Sequence, residues 1–540
     1  MTVIPLATKS DIDHLANSSI ELVAQLLTES HNKRSRRDEA NRKRFARLLK
    51  DPAAIDLTMS LTDEVMRMSS MRQAARTLRR SAKTASISGL GAFDYYGIKA
   101  ASLASYLFPT LVMRVVHQRV RSAANGIILP AEKTLLGKHI TQRNNDEARL
   151  NINVLGEAVL GEHEAQQRLA SVIEMVRRPE VNYASVKISS IASQLITIDH
   201  DGSVERVAER LRLLYSAALE SGTFINLDME EFRDLAITVD VFKKLLGEPE
   251  FEKMNSGIVL QAYLPESHAV FADLIEWATT RHHKSGGLIK IRLVKGANLA
   301  MEKAEAELHG WVPAPYPTKS DVDASYARLI DAALRPEHSQ AVRIGIASHN
   351  LFHLAWAIGV AKSRGVEAQL DIEMLEGMAN AEALAVAGET GSVLLYTPVT
   401  RHSDFPAAVA YLVRRLDENT STENYLRASF DMQVDNEKFV EQRQRFLESV
   451  SQRHTISTSS RRHLLVREDS DFEFDKGVFT NQSDGDGTHP ELRGALKTSI
   501  ESEYSSVELR IPLVIRGAEI HSREVEIGTD PSADGKVWYQ

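Results

Sequence analysis

From about residue 180 the chain alternates short β-branched runs with stretches of helical periodicity, and few folds accept that pattern. The runs are Ser185-Val-Lys-Ile-Ser, Thr223-Phe-Ile-Asn-Leu-Asp, Gly257-Ile-Val-Leu-Gln-Ala-Tyr and Leu288-Ile-Lys-Ile-Arg-Leu-Val, then Val342-Arg-Ile-Gly-Ile-Ala-Ser, Glu367-Ala-Gln-Leu-Asp-Ile and Ser392-Val-Leu-Leu-Tyr. Strands joined through helices run parallel, because each helix returns the chain to the start of the next strand. These units, with one more strand near Val154 or after Ala428, predict an α/β fold, a distorted TIM-like β/α barrel. No G-x-G-x-x-G fingerprint opens any unit, which counts against an open dinucleotide-binding sheet.

The flanks have a different texture. Residues 10–180 read as helical almost throughout, with Ile20, Leu22, Val23, Leu26 and Leu27 on one repeat and Ala54–Met71 as a second amphipathic run. Ala85-Ser-Ile-Ser-Gly-Leu-Gly-Ala reads as a small-residue linker. Beyond Val450 the alternation stops, Glu468–Asp486 is acidic and linker-like, and Arg510-Ile-Pro-Leu-Val-Ile and Glu519-Ile-His-Ser-Arg-Glu-Val have strand character. The predicted division is a helical region 1–150, a barrel 151–450, and a linker with a short β extension 451–540.

Composition narrows the chemistry. Among 540 residues there is no Cys, which excludes disulfides, Cys-containing zinc sites, iron–sulfur clusters and thiol nucleophiles. The formal net charge of −8 argues against a nucleic-acid footprint over the whole chain. One stretch, residues 33–50 (KRSRRDEANRKRFARLLK), is densely basic; a solvated helix face is its ordinary reading, an anionic lipid surface its second and DNA its third. The longest uncharged stretch, Ala100–Met113, is too short to span a bilayer.

In a β/α barrel, chemistry gathers at the C-terminal ends of the strands. That rule alone selects Lys187, Asp228, Gln261, Arg292, Lys295, Ser348, His349 and Tyr396. Metal binding is a weak reading of this set, because its lone His and scattered carboxylates lack ligand spacing and its Lys and Arg would repel a cation.

Three segments carry a resemblance: Ile291-Arg-Leu-Val-Lys-Gly-Ala, Ala347-Ser-His-Asn and Tyr411-Leu-Val-Arg-Arg-Leu-Asp-Glu-Asn. With Asn226-Leu-Asp-Met-Glu and Val259-Leu-Gln-Ala-Tyr they resemble the proline dehydrogenase family, and more narrowly the proline dehydrogenase half of bifunctional proline utilization A (PutA) proteins, in order over roughly 150–430. The resemblance implies a barrel holding FAD at its strand ends that oxidises L-proline to Δ1-pyrroline-5-carboxylate and passes electrons to a membrane quinone. It implies Arg414 and Arg415 on the proline carboxylate, with Lys187, Asp228, Leu375 and Tyr396 lining the substrate pocket. Glu157 would pair with one of those arginines as a gate. Arg292 would lie beside the reactive edge of the flavin, and Gln261 would bond the ring. Met229, Val294, Lys295, Gly296, Ala297, Ser348 and His349 would hold the cofactor, with Thr318, Lys319 and Glu418 nearby. Lys187, Asp228 or water would accept the proton from the proline nitrogen.

The residue types suit those roles. Planar guanidinium groups hold a carboxylate with two parallel bonds, which fixes orientation as well as charge. A cation beside a flavin stabilises the negative charge of its reduced form. Taken singly, each signal has a bland reading: Arg414 bonding Glu418 at i,i+4, Gly296 as a plain turn, His349 as a structural histidine, Asp228 as a mere partner for Lys187. Two departures stand out. Where some relatives carry an aromatic pair after RLVKGA this chain has Asn298-Leu299, and Met374-Leu-Glu-Gly-Met replaces a His-bearing segment, leaving Glu376 without a role.

The resemblance also implies a cytoplasmic protein touching the inner face of the cell membrane, with 451–540 leading into an aldehyde dehydrogenase-like domain. No ribbon-helix-helix pattern opens the chain, so nucleic acid is not an expected partner. Two competing readings are a Schiff-base lyase using Lys187 or Lys295, and an inert barrel carrying a lipid- or partner-binding helical module. Neither explains Arg414-Arg415 together with RLVKGA.

Overall fold

Every predicted run forms a strand, and the additional strand lies at the first of the two places considered for it. In the computed structural model the strands are β1 (Ala148–Val154), β2 (Tyr183–Lys187), β3 (Phe224–Asp228), β4 (Ser256–Gln261), β5 (Ile289–Val294), β6 (Val342–Ala347), β7 (Leu370–Leu375) and β8 (Val393–Thr400). The described residues are 9–36, 39, 43, 47, 51–66, 68–124, 126–156, 159–405, 408, 411, 424–463, 483–505, 510–521, 524–532 and 535–539. All neighbouring strands pair in parallel. β8 closes the ring on β1, from Ala148 opposite Val393 through to Val154 opposite Val399. Closure abolishes the sheet edges and leaves a barrel with helices outside.

Several strands sit off their predicted bounds: β8 runs on to Thr400, past Tyr396, and β4 ends at Gln261, before Tyr263. β7 begins at Leu370 instead of Glu367, because Glu367–Gln369 turns as a short 3-10 helix. It then runs on through Glu373, since Asp371 and Glu373 point inward at buried cations. β2 ends at Lys187 and the chain turns at once into Ile188–Ile191.

The N-terminal helix Lys9–Lys33 packs its apolar stripe, including Val23, Leu26 and Leu27, on the barrel helices Leu351–Arg364 and Asn380–Thr390. The predicted run 54–71 is broken. A helix Pro52–Ser60 passes into a π turn at Leu61–Val65, and a new helix starts at Met71 under a Ser70 cap. The predicted linker 85–92 contains a helical turn, Ile87–Leu90, which Gly91 ends at a φ of 80°. Helices Ala92–Ala104 and Pro109–Ala124 follow.

The chain divides into two compact units, Met1–Ile196 with His200–His463, and Thr197–Asp199 with Leu464–Gln540. The second holds the helix Pro490–Ser505 and two antiparallel pairs, Leu513–Ile515 with Ala518–Ile520 and Gly528–Thr529 with Val537–Tyr539.

Strand side chains alternate, so one residue in two points at the barrel axis. Barrels of this kind are commonly filled by Val, Ile and Leu. Here the axis carries Asn151 and Asn153 from β1, Ser185 and Lys187 from β2, Asn226 and Asp228 from β3, Lys290 and Arg292 from β5, and Asp371 and Glu373 from β7, all buried. The apolar residues between them, such as Ile291, Leu293 and Ile372, face the helices and form the main core.

Candidate active site

The charged axis rises into a cavity of about 360 Å³ at the C-terminal strand ends. Lys187, Asp228, Met229, Gln261, Arg292 and Val294 line it from the strands β2 to β5. Lys295, Gly296 and Ala297 follow directly after β5, and Lys319, Ser348, His349, Leu375 and Tyr396 complete the predicted set. Thr318 stands outside the lining. Its hydroxyl caps the helix Lys319–Ala333, accepting from Asp321 N at 3.1 Å. Glu157, Arg414, Arg415 and Glu418 lie outside the described residues.

Asp228 is the hub. One carboxylate oxygen accepts from Arg292 Nη2 and from Asn226 Nδ2 (3.0 Å), and the other accepts from Tyr396 OH at 2.8 Å. Tyr396 OH in turn receives a bond from Asn153 Nδ2. Burial, and then the Asp228 charge, push the Tyr396 phenol well above its ordinary range, so it stays a donor. Burial opposes the charge on Arg292, but Asp228 and then Glu373 outweigh it and raise its pKa.

Each of these cations already has a carboxylate. Lys187 Nζ lies 2.5 Å from Glu230 Oε1, Arg292 bonds Asp228, and Lys295 Nζ lies 2.5 Å from Asp323 Oδ1. Burial alone would raise the Asp323 pKa, yet Lys295 and its neighbours bring it below the ordinary value. His353, buried beside that pair, is pushed down to about 3 by burial and then by Lys295, and is neutral. An anionic ligand would therefore share these three cations with the carboxylates that already hold them.

The loop after β6 is short for a local reason. Asn350 Oδ1 accepts from Phe352 N at 3.0 Å and starts the helix Leu351–Arg364, which leaves Ser348 and His349 at the mouth. His349 Nε2 accepts from Leu375 N at 3.1 Å, which places the ring proton on Nδ1. His349 thus ties the β6 loop to the end of β7.

Two features test whether a flat ring would fit. Gly296 lines the cavity with a φ of 116°, and a Cβ there would come within 2.5–2.6 Å of the Tyr263 ring, so only glycine packs on that ring at this turn. Gln261 Nε2 donates to the Met229 and Glu230 carbonyls at 3.1 Å each, while its buried Oε1 has no partner among the described residues and could accept an N–H from a ligand. These residues fit the flavin that the resemblance implies.

Some pocket residues went unread in the sequence. Glu373, Glu230 and Tyr411 line the cavity, and Asn153 and Asn226 hold its hub. Glu373 was findable, because it follows Asp371 by two residues on a strand and shares its inward face. Glu376 turns to Arg143 of the helix Lys133–Asn145, Nε to Oε1 at 3.1 Å. Asn298 is buried at the start of the helix Leu299–His309. Among the described residues no cluster of His, Asp and Glu could hold a metal ion.

A closed parallel barrel with a charged pocket at its strand ends defines an enzyme-like site, and comparison with known proteins supplies its family. A family model for proline dehydrogenase matches residues 136–428, more than half of the chain. The chain belongs to the proline dehydrogenase family. It is 29% identical over 301 residues to the bifunctional protein PutA of Escherichia coli (strain K12), covering 52% of this chain and 22% of that protein. It is 28% identical over 278 residues to a proline dehydrogenase of Deinococcus radiodurans, covering 50% of this chain and 77% of that one. Among solved structures, PutA from Corynebacterium freiburgense is 46% identical with a TM-score of 0.62, over 70% of this chain and 36% of that chain. PutA from Bdellovibrio bacteriovorus, at 24% identity, shares the fold with a TM-score of 0.77 over 97% of this chain and 52% of that one. The chain thus spans only about a fifth of the E. coli PutA, 22% of its length.

Proposed function

We propose that this chain oxidises L-proline to Δ1-pyrroline-5-carboxylate with FAD, the first step of proline catabolism to glutamate, and passes the electrons to a quinone. The observation that carries the reading is the pocket itself, where Gly296, Gln261 Oε1 and Arg292 converge at the strand ends of a proline dehydrogenase-family barrel. The chemistry that bound FAD would supply is acceptance of a hydride from the proline carbon beside nitrogen. The chain's own residues orient and balance. Arg414 and Arg415 hold the substrate carboxylate, supplying charge that Lys187, Arg292 and Lys295 already share with Glu230, Asp228 and Asp323. Glu157 gates them, and Leu375 and Tyr396 wall the ring of the substrate.

Gln261 Oε1 would accept an N–H of the flavin, Gly296 would border it, and Arg292 would supply a positive charge beside it. Lys295, Lys319, Ser348, His349 and Glu418 secure the remainder of the cofactor, with Met229, Val294 and Ala297 packing against it and Thr318 fixing the helix that presents Lys319. Asp228 accepts from three donors and Lys187 is matched by Glu230, an arrangement in which both orient the substrate, and Lys187, Asp228 or water accepts the proton from the proline nitrogen.

The absorption spectrum is the test. Purified protein, or protein given FAD, is expected to show flavin absorption that L-proline bleaches without oxygen. A colourless protein whose spectrum ignores added FAD overturns the reading.

A second observation bears on the electron acceptor. The stretch 100–113 forms the tip between helices Ala92–Ala104 and Pro109–Ala124, where Leu103, Tyr106, Leu107, Phe108 and Leu111 are each at least 60% exposed. A contiguous apolar patch of this kind marks an interaction surface. Arg79 lies 4.4 Å from the Tyr106 ring centroid, and Arg114 is exposed beside the tip. Of the basic run 33–50, Lys33 and Arg34 bond within the protein, to the Leu384 carbonyl and Glu382. No described helix is long and apolar enough to cross a membrane. We therefore assign the tip 103–111 as the contact with an anionic membrane surface. Co-sedimentation with anionic vesicles is expected to rise when proline reduces the protein, to fall with salt, and to drop in Leu107→Glu. Protein that stays in the supernatant at low salt after reduction refutes the contact.

A further inference from the structure

Below the pocket the barrel axis holds a second ion pair. Lys290 Nζ lies 2.6 Å from Glu373 Oε1 and 3.0 Å from Asp371 Oδ2. Asp371 is met from the bottom of the barrel by Arg149 at 2.8 Å and Arg343 at 3.0 Å. Upward, Glu373 Oε2 lies 3.5 Å from Arg292 Nη1, and Arg292 Nη2 bonds Asp228. Lys290 and Glu373 side chains are 2% and 1% exposed. Charges of alternating sign thus run up the axis from half-exposed arginines to the pocket floor. Strand geometry builds the column: Lys290 and Arg292, like Asp371 and Glu373, stand two residues apart on one strand and share its inward face. The strand between them makes room, since a Cβ at Gly345 would collide with Glu373 Oε1 and lie 2.8 Å from Lys290 Cε.

As filler, this layer makes little sense. Replacing a buried ion pair by apolar side chains of similar volume is often neutral or stabilising. An apolar layer, with a larger residue at position 345, would plug the axis at least as well. What the pair does that Leu and Val could not is hold a charge under Arg292. We propose that Lys290 and Glu373 are positioning residues for the reaction: Lys290 fixes Glu373, and Glu373 sets the direction and effective charge of the Arg292 guanidinium at the pocket. The inference rests on the flavoenzyme reading above, in which Arg292 borders the flavin. It adds that the tuning of that cation comes from the layer beneath.

The signs provide a test. A reduced flavin carries more negative charge, so a more positive surround raises its midpoint potential. Glu373→Gln removes the negative group under Arg292, and the potential of the bound flavin is expected to shift positive. Lys290→Met leaves Glu373 paired with Arg292 alone, and the potential is expected to shift negative. Each variant keeps a partner for the charge that remains, Asp371 for Lys290 and Arg292 for Glu373. Glu373→Asp, which keeps the charge, is expected to lie near wild type. A purely structural role would loosen the site in both variants and move both potentials the same way. Shifts of one sign, or none, with flavin still bound, overturn the proposal. If a single variant does not fold, Lys290→Met/Glu373→Gln decides. Glu373 is nearer Arg292, so a positive shift smaller than that of Glu373→Gln alone, or positive where that variant cannot be measured, supports the proposal, and an unchanged potential overturns it. A wild-type protein that binds no flavin is a different result, and fails the flavoenzyme reading itself.

Discussion

Asp228→Ala is expected to destabilise the barrel unit by about 3–5 kcal/mol, the cost of breaking a buried ion pair by removing one partner. Three donors converge on that carboxylate, Arg292, Asn226 at 3.0 Å and Tyr396 at 2.8 Å, and alanine leaves all three facing an emptied space. The guanidinium suffers most, because Glu373 at 3.5 Å is then its remaining counter-charge. Turnover of proline is expected to fall at least about a hundredfold, since displacement of a positioned group by about 1 Å can cost that much. Asp228→Asn keeps the shape and one acceptor, so it should retain more stability than alanine but not the activity. Denaturant unfolding and steady-state turnover check both parts. A midpoint equal to wild type in Asp228→Ala would mean the hub does not hold the site.

The other large effect is expected on the arginine pair. Arg415→Met, and similarly Arg414→Met, should raise the KM for proline while FAD stays bound. Losing one partner of a desolvated carboxylate costs roughly 2–5 kcal/mol. At about 1.4 kcal/mol per tenfold, that is a rise of between thirtyfold and a few thousandfold. The described site sharpens the argument, because Lys187, Arg292 and Lys295 are each matched by a carboxylate of the protein. A substrate anion bound without the arginines would compete with those carboxylates for charge. Wild-type KM in both variants refutes the assignment, and loss of flavin in either would place the pair at the cofactor instead.

The barrel was legible because its signal is local. Runs such as Leu288–Val294 and Val342–Ser348 are β-branched and bounded by helical stretches, and strand formation needs little more. The strand-end rule then brought Lys187, Asp228, Gln261, Arg292, Lys295, Ser348, His349 and Tyr396 to one cavity, and all of them line it. What stayed illegible depends on register across strands. That Lys290 meets Glu373 follows from β5, β6 and β7 being neighbours, with Gly345 between them as the spacer, and no periodicity within one segment contains it. Thr318, expected near the cofactor, has its hydroxyl engaged as the cap of the helix that begins at Lys319, a local demand. The apolar stretch 100–113 shows the limit of composition, since Met113 is fully buried while Leu107 is 78% exposed. Hydrophobicity says that a residue leaves water if it can, and the fold decides which ones do.

Gly345 and the column it accommodates also decide how material moves. A barrel filled along its axis by Lys290, Glu373 and Asp371 has no passage through it, and the half-exposed arginines 149 and 343 cap its lower end. Among the described residues, the cavity lies at the strand C-termini, at the opposite end of this column from those arginines. In the proposed reaction, substrate, product and oxidant would meet at that end of the barrel. The chemistry of the pocket is thereby coupled to whatever surrounds its rim, and a partner or surface docked there would govern traffic without touching a reacting atom.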